Sequence, residues 1–319
     1  MGRRIEFVAL IDSQGRTAVL DEKGMAPLAG CYSHELRNIL QLILGTGNFD
    51  SVYYLLEGWI QNQLNKRSSC KGGRRLLAVY RAKARFLQKL LDLDFSAAEL
   101  RSRGMSFRFH LGKKEMLWFL LDLFEEIVEM NAYNVLPENV NGNVVMDIGA
   151  HLGVFSLFAA KMGAKKVYAF EPVESTYEML GRNVEINDLD DTISPVNKAL
   201  GDKIETGCVS YLFEGDWGAS LELDMGTSAA QQECEVTTVD EFVRIQGTSP
   251  HFIKIDAEGY EKKIILGAEN TIRTSKPFLS ICAYHKKGDV EELAKTVLSV
   301  RKDYKYQLLE TPSLVLYFC

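Results

Sequence analysis

A doubly wound α/β fold with a mostly parallel sheet is what this 319-residue chain predicts. Three observations carry it. From Asn143 onward, short apolar runs alternate with segments of helical spacing. The stretch Val144-Val145-Met146-Asp147-Ile148-Gly149-Ala150-His151-Leu152-Gly153 reads as a buried strand that ends in an acid and breaks into a glycine turn. Two apolar runs close the chain, split only by Glu310-Thr311-Pro312-Ser313, a turn short enough to permit antiparallel pairing alone.

Residues 5–20 form a short hairpin by pattern: Ile5, Phe7, Ala9 and Ile11 alternate, and Asp12-Ser13-Gln14-Gly15 is turn chemistry. Helical spacing follows at 35–44 and 51–64, split by Gly45-Thr46-Gly47-Asn48. Ser68-Ser69-Cys70-Lys71-Gly72-Gly73 is a linker candidate, and 74–93 reads as a strongly basic helix. An amphipathic helix is expected at 115–130 and a loop at 137–142. Strands then fit 144–148, 167–170, 193–199, 252–256 and 278–283. Helices fit 154–161, 175–186, 239–245, 261–272 and 289–300, and the last two strands fit 304–309 and 314–318. These patterns predict a mainly helical N-terminal region over 1–103, capping the site or binding substrate, and a Rossmann-like domain over 104–319.

Composition is that of a soluble globular protein, 46% apolar and 25% charged. Six cysteines are scattered without metal-ligand spacing, as expected of free thiols. No start resembling a signal peptide and no uncharged run of about 18 residues is found. A cytoplasmic protein with no membrane association is the expectation. Charge is uneven: residues 1–115 hold 19 Lys/Arg against 11 Asp/Glu, and residues 116–319 hold 18 against 32. The basic excess at 66–108 permits an acidic partner, nucleic acid included, although a solvated helix face explains it as well.

Strand, glycine turn, helix, strand, acid is the plan of a nucleotide-type cofactor site. The second strand delivers Glu171 and Pro172, and an acid there can take both hydroxyls of a ribose. Dinucleotide folds want G-x-G-x-x-G, the second glycine making room for a pyrophosphate. Here the pattern is D-x-G-x-x-x-G, from Asp147, Gly149 and Gly153, with His151 in the way. A carboxylate at position 147 suits a cationic ligand, which favours S-adenosylmethionine over NAD.

The segment from about Gly104 to Cys319 resembles the FkbM-type methyltransferases. The resemblance rests on 145–153, on Ala169-Phe170-Glu171-Pro172 with Arg182-Asn183-Val184-Glu185-Ile186-Asn187, and on 196–202. Gly218-Ala219-Ser220-Leu221, Phe252-Ile253-Lys254-Ile255-Asp256-Ala257-Glu258-Gly259-Tyr260-Glu261 and Ile281-Cys282-Ala283-Tyr284-His285 complete it. His151 stands where the family more often has asparagine. The resemblance implies methyl transfer from S-adenosylmethionine, usually to a hydroxyl oxygen of a sugar or another small metabolite. The alternatives are an RNA or protein methyltransferase guided by the basic region, and a cofactor-binding module without catalysis.

In that reading Asp147 and the backbone of Gly149, Ala150, His151 and Gly153 hold the methionine part. Glu171 and Pro172 meet the ribose, Asn197 and Ala199 border the adenine, and Asp256 reaches the sulfonium or the acceptor. His285 is the expected general base at neutral pH, with Glu258 as the other candidate. Glu258 and Glu261 can instead hold turn amides. No resident metal is expected. A divalent ion on Asp256 and His285 is the alternative, but Tyr284-His285 stands where catechol-type methyltransferases have an Asp-Asn pair. Trp217 is a sugar-stacking or lid aromatic, and His34 and His110 are ordinary.

Overall fold

The computed structural model describes residues 7–11, 14, 17–20, 95–112, 116–212, 218–222, 229–310 and 313–319. The helices expected at 35–44, 51–64 and 74–93, the 68–73 linker, His34 and Trp217 lie outside the described residues. Among the described residues no helix is long and apolar enough to cross a membrane.

The chain begins with β1 (Phe7–Ile11), β2 (Thr17–Leu20), β3 (Ala97–Ser102) and β4 (Met105–His110), an antiparallel sheet in the order β2-β1-β3-β4. β1 and β2 are the hairpin expected at 5–20, and β3 and β4 are strands the sequence reading did not place. The expected boundary at 103/104 falls in the turn of the β3–β4 hairpin, where Ser102 faces Met105. Arg103 and Gly104 both have positive φ there, +56° and +72°. This sheet shares a core with the rest of the chain: Leu100, Phe107 and Phe109 pack in one cluster with Phe119, Phe124, Phe155 and Phe158. It is pinned from outside too. Asn183 Oδ1 accepts from the His110 amide at 2.7 Å, and Asn187 Oδ1 accepts from the Arg108 amide at 3.0 Å. The Arg-Asn-Val-Glu-Ile-Asn stretch of the resemblance thus docks one sheet onto the other.

Next come α1 (Met116–Phe124), which runs into a π-helical turn at Glu125–Glu129, and the short α2 (Pro137–Val140). The sequence predicts this as one helix over 115–130. The π turn widens it by one residue and buries Glu126 and Glu129 together with Ile127 and Val128.

The central layer is built from β5 (Val144–Ile148), α3 (Val154–Lys161), β6 (Lys166–Phe170), α4 (Glu174–Glu185) and β7 (Ile193–Val196). A side sheet follows: β8 (Ala199–Leu200), β9 (Glu205–Tyr211) and β10 (Ala230–Thr237), ordered β8-β10-β9. Then come α5 (Val239–Gln246), β11 (Phe252–Ile255), α6 (Glu261–Leu266), α7 (Glu269–Ser275), β12 (Phe278–Cys282), α8 (Asp289–Val300), β13 (Tyr306–Glu310) and β14 (Leu314–Phe318).

The seven-stranded sheet runs β13-β14-β12-β11-β5-β6-β7. β12, β11, β5, β6 and β7 are parallel, and β14 and β13 are antiparallel. This is the α/β class and the antiparallel finish the sequence predicts. Both faces are covered, as parallel sheets require. Side chains alternate: Val145, Val167 and Phe252 join the core under α3, and Met146, Ile148, Ile253 and Ile255 join the core under α6 to α8. Burying each such side chain contributes about 1.5–3 kcal/mol.

Two expected elements are divided. The strand at 193–199 breaks at Asn197-Lys198, where the Lys198 amide turns back to the Val196 carbonyl at 2.9 Å and sends the chain into the side sheet. Pro195 in β7 suits the edge strand it occupies. The helix at 261–272 divides at Gly267-Ala268 into α6 and α7, and position 267 takes glycine because a Cβ there would stand 1.9 Å from the Gly201 carbonyl oxygen.

Candidate functional site

The site is the carboxyl edge of the parallel strands, where β5, β6, β11 and β12 end in loops. Beyond β5 the chain must turn at once. The amides of Gly149 and Ala150 both donate to the Phe170 carbonyl, at 3.1 and 2.9 Å. Gly149 has φ +77°, and a Cβ there would lie 1.8 Å from the Asp256 carbonyl oxygen. Only glycine satisfies both conditions. His151 takes φ +50°, a left-handed conformation that histidine adopts more readily than most side chains. Gly153, at φ +86°, precedes α3 and lies against Leu180.

Glu171 follows β6. It is 6% exposed. Oε1 accepts from the Val173 amide and Oε2 from the His151 amide, each at 3.0 Å. Burial pushes its carboxyl up to about 7, against the pull of those two amides. Asn197 holds this corner from behind, donating through Nδ2 to the carbonyls of Glu171 and Pro172 at 2.9 and 3.2 Å.

Asp147 lies beneath the turn, not in it. It is fully buried. Ser156 Oγ donates to Oδ2 at 2.7 Å, and Lys254 Nζ stands 3.0 Å from Oδ1. Register makes this pair: Lys254 of β11 and Asp147 of β5 are lateral neighbours. Burial raises the Asp147 carboxyl above its ordinary range despite Lys254 and Ser156. Burial works against the Lys254 ammonium as well, but Asp147 and Asp256 keep it above its ordinary value. Lys254 also donates to the Gly149 carbonyl at 2.6 Å. The expectation that Asp147 offers its carboxylate to a cationic ligand is corrected here: its charge is spent on a buried lysine, which in turn holds the glycine turn.

The loop after β11 carries Asp256 and Glu258, and the end of β12 leads to His285. Tyr133, in the segment after the π turn, donates its hydroxyl to Asp256 Oδ2 at 2.7 Å. Burial would raise the Asp256 carboxyl; Lys254, His285 and Tyr133 overcome that and hold it below its usual range. Glu258 sits at φ +49°, a costly conformation for a non-glycine residue. Ser220 Oγ holds it there by donating to its carbonyl at 2.7 Å. His285 Nε2 is 3.3 Å from Glu258 Oε2 and 3.6 Å from Asp256 Oδ1, and Nδ1 is 3.0 Å from Glu261 Oε1. Burial would lower this histidine, but the carboxylates of Glu258 and Glu261 carry it up to about 11. These carboxylates favour the imidazolium, where the sequence suggests a neutral base near 6.5. Burial raises Glu258 above the ordinary carboxylate range. Glu261 accepts from the Ala257 and Gly259 amides at 2.9 and 3.2 Å, so it, not Glu258, is the residue that holds turn amides.

These groups open onto one cavity of about 380 Å³, within the range of small-molecule sites. Gly149, Ala150, His151, Glu171, Pro172 and Ala199 line one part. Asp256, Glu258, His285, Tyr133 and Tyr284 line another, with Phe119, Leu123 and Glu126 from α1 and the π turn. Asp147, Gly153 and Asn197 are not on its wall; they support residues that are. Lys254, Tyr133 and the π-turn residues are the functional candidates that sequence reasoning missed. Lys254 stood inside the most specific motif, but its partner is visible only in the strand register. Tyr133 has no local signal at all.

The residues fit S-adenosylmethionine. A buried carboxylate at the tip of β6 can take ribose hydroxyls. The Asp256 carboxylate, held on Oδ2 by Tyr133, stands on the same wall towards the acceptor end. Ala199 and Leu200 offer an apolar border for a flat base.

Comparison with known proteins adds the following. Protein arginine N-methyltransferase 6 of Danio rerio is 34% identical over 83 residues, 25% of this chain and 24% of that protein. The ribosomal protein L11 methyltransferase of Thermoanaerobacter sp. (strain X514) is 35% identical over 86 residues, 27% of this chain and 24% of that protein. The chain thus spans about a quarter of the length of these curated relatives. Among solved structures, methyltransferase FkbM from Methylobacillus flagellatus KT is similar at 22% identity and a TM-score of 0.44, over 65% of this chain and 54% of that one. The methyltransferase FkbM domain model matches residues 147–308. That match spans half of the chain and runs from β5 through the β11 and β12 loops into β13, and the chain belongs to the FkbM methyltransferase family.

Proposed function

We propose that the protein transfers a methyl group from S-adenosylmethionine to a hydroxyl oxygen of a small metabolite, a sugar being the leading class. The observation that carries this is the meeting of Asp256, Glu258 and His285 on the wall of the cavity that also holds the glycine turn and Glu171. An alcohol acceptor must lose its proton during transfer, and a carboxylate at the acceptor end can take it. S-adenosylmethionine supplies an electrophilic methyl group on a sulfonium.

The chain's residues divide the remaining work. Glu171 binds the ribose, and Gly149 lets the turn close over the methionine part. Asp256 already holds the Tyr133 hydroxyl, so Glu258 is the carboxylate placed to accept the proton. His285 orients both. The apolar side chains Phe119, Leu123 and Tyr284 keep water from the reacting atoms. Most of the rate enhancement in such an in-line displacement comes from positioning.

The test is incubation of the full chain with a metabolite extract and methyl-labelled S-adenosylmethionine, followed by mass spectrometry. Labelled methyl ethers are expected. Label found only on amines, on protein or on RNA would overturn the oxygen assignment and favour the protein- or RNA-directed reading. The names of the two curated relatives fit a protein substrate, and the basic stretch at 66–108 fits RNA.

A further inference from the structure

We propose that Asp256, Glu258 and His285 bind a divalent metal ion at the acceptor end of the cavity. The site is defined by geometry alone and rests on the methyl-transfer reading only for what the ion does there. One donor atom from each residue lies within 4.8 Å of the other two. At the present separations of 3.3 and 3.6 Å, metal bonds of about 2.1 Å to His285 Nε2 and to each carboxylate would enclose angles of about 105–120°.

Two further observations point to a cation. The His285 side chain is 3% exposed, and its Nε2 has no hydrogen-bond partner of acceptable geometry. Asp256 Oδ1, 3.6 Å away, is buried and has no hydrogen-bond partner. Buried polar atoms without partners are rare and call for an explanation. Here Nε2 faces two carboxylates at 3.3 and 3.6 Å as an ion pair without hydrogen-bond geometry, and a divalent ion seated among the three would take the place of the ring's proton. Behind the ring, Glu261 Oε1 stands 3.0 Å from Nδ1 and is itself fixed by two backbone amides. A carboxylate behind the far nitrogen is the usual support of a metal-bound histidine.

Two carboxylates balance the charge of a divalent ion. The mixed oxygen and imidazole set suits Mn²⁺, Fe²⁺ or Zn²⁺ better than Ca²⁺. The three residues line the cavity, so an acceptor hydroxyl can join the ion's coordination sphere. Coordination lowers the hydroxyl's proton affinity before Glu258 takes the proton through its second oxygen.

The test is titration of the full chain, stripped by dialysis against a chelator, with Mn²⁺, following free Mn²⁺ by electron paramagnetic resonance. One saturable ion per chain is expected. His285→Gln and Glu258→Gln should each weaken its affinity at least tenfold, Glu261→Gln by about 10–100-fold, and Glu171→Gln should leave it unchanged. Urea unfolding of the same samples reports whether each variant is folded, and calorimetry with S-adenosylhomocysteine tests the cofactor separately; should His285→Gln fail to fold, Glu258→Gln decides. Absence of saturable binding up to millimolar Mn²⁺, or affinity unchanged in a folded His285→Gln or Glu258→Gln variant, overturns the proposal. Mn²⁺ bound as described with no binding of S-adenosylhomocysteine would sustain the ion site and defeat the cofactor reading instead.

Discussion

Replacing Glu171 with glutamine should remove a pH dependence that the wild-type protein shows in both cofactor affinity and stability. Its carboxyl is pushed up to about 7 from an ordinary 4.5, so near neutrality half of the free protein carries it protonated. If the ionised form takes the ribose hydroxyls, S-adenosylhomocysteine should bind about tenfold more weakly at pH 6 than at pH 8. The same difference acts on the fold. The folded protein holds this proton up to about 7, whereas the unfolded chain releases it near 4.5. Between those values the folded state binds more protons, so stability falls as pH rises through the window. The shift corresponds to at most about 3 kcal/mol. Glu171→Gln should flatten the stability slope, and its affinity should vary with pH only through the ligand's own titration. Calorimetry at four pH values and urea unfolding at the same values measure both. A wild-type affinity that does not change from pH 6 to 8 would refute the assignment of ionised Glu171 to the ribose, and a stability slope in Glu171→Gln as steep as that of the wild type would refute its raised titration, since Asp147, Glu258 and His285 account only for the part that remains.

Gly149→Ala should abolish measurable S-adenosylhomocysteine binding and destabilise the fold by about 2–4 kcal/mol, because its Cβ would meet the Asp256 carbonyl oxygen at 1.8 Å; calorimetry and urea unfolding check both parts. Lys254→Met leaves the Asp147 carboxylate buried without its partner and should cost about 3 kcal/mol by urea unfolding, with Asp147→Asn/Lys254→Met costing less than the two single changes together. Tyr133→Phe removes the hydroxyl from Asp256 and should lower stability by about 1–2 kcal/mol. In steady-state assays of Tyr133→Phe, kcat should fall while S-adenosylhomocysteine affinity holds.

The parallel core was legible because its signals are local. Val144 to Ile148 is apolar but for Asp147 and is followed by glycine, and the four-residue break Glu310-Thr311-Pro312-Ser313 allows one pairing only. β9 and β10 were not legible: Gln231, Glu233 and Glu235 in β10 face outward from a small side sheet and Gln232 stands on the inward face where an apolar residue would continue the pattern, so the apolar alternation is faint. β3 and β4 were missed because Arg101, Ser102, Arg103 and Gly104 read as a boundary, whereas they turn one strand onto the next. At the site, motif spacing located Gly149, Glu171, Asp256, Glu258 and His285 on one cavity. It could not reveal charge state. Whether His285 is neutral depends on the two carboxylates beside it, and whether Asp147 faces a ligand depends on which side of β5 the lysine of β11 occupies.

The contact between Gly149 and the Asp256 carbonyl ties the two halves of the cavity into one backbone assembly. The turn that meets the cofactor cannot move without displacing the loop that meets the acceptor, and neither can be exchanged alone for the corresponding loop of a relative. Variation in acceptor choice therefore has to enter elsewhere. The α1 and π-turn wall, with Phe119, Leu123 and Glu126, contributes side chains to the cavity without sharing that backbone contact. Efforts to redirect the protein towards other acceptors should begin by varying those three positions.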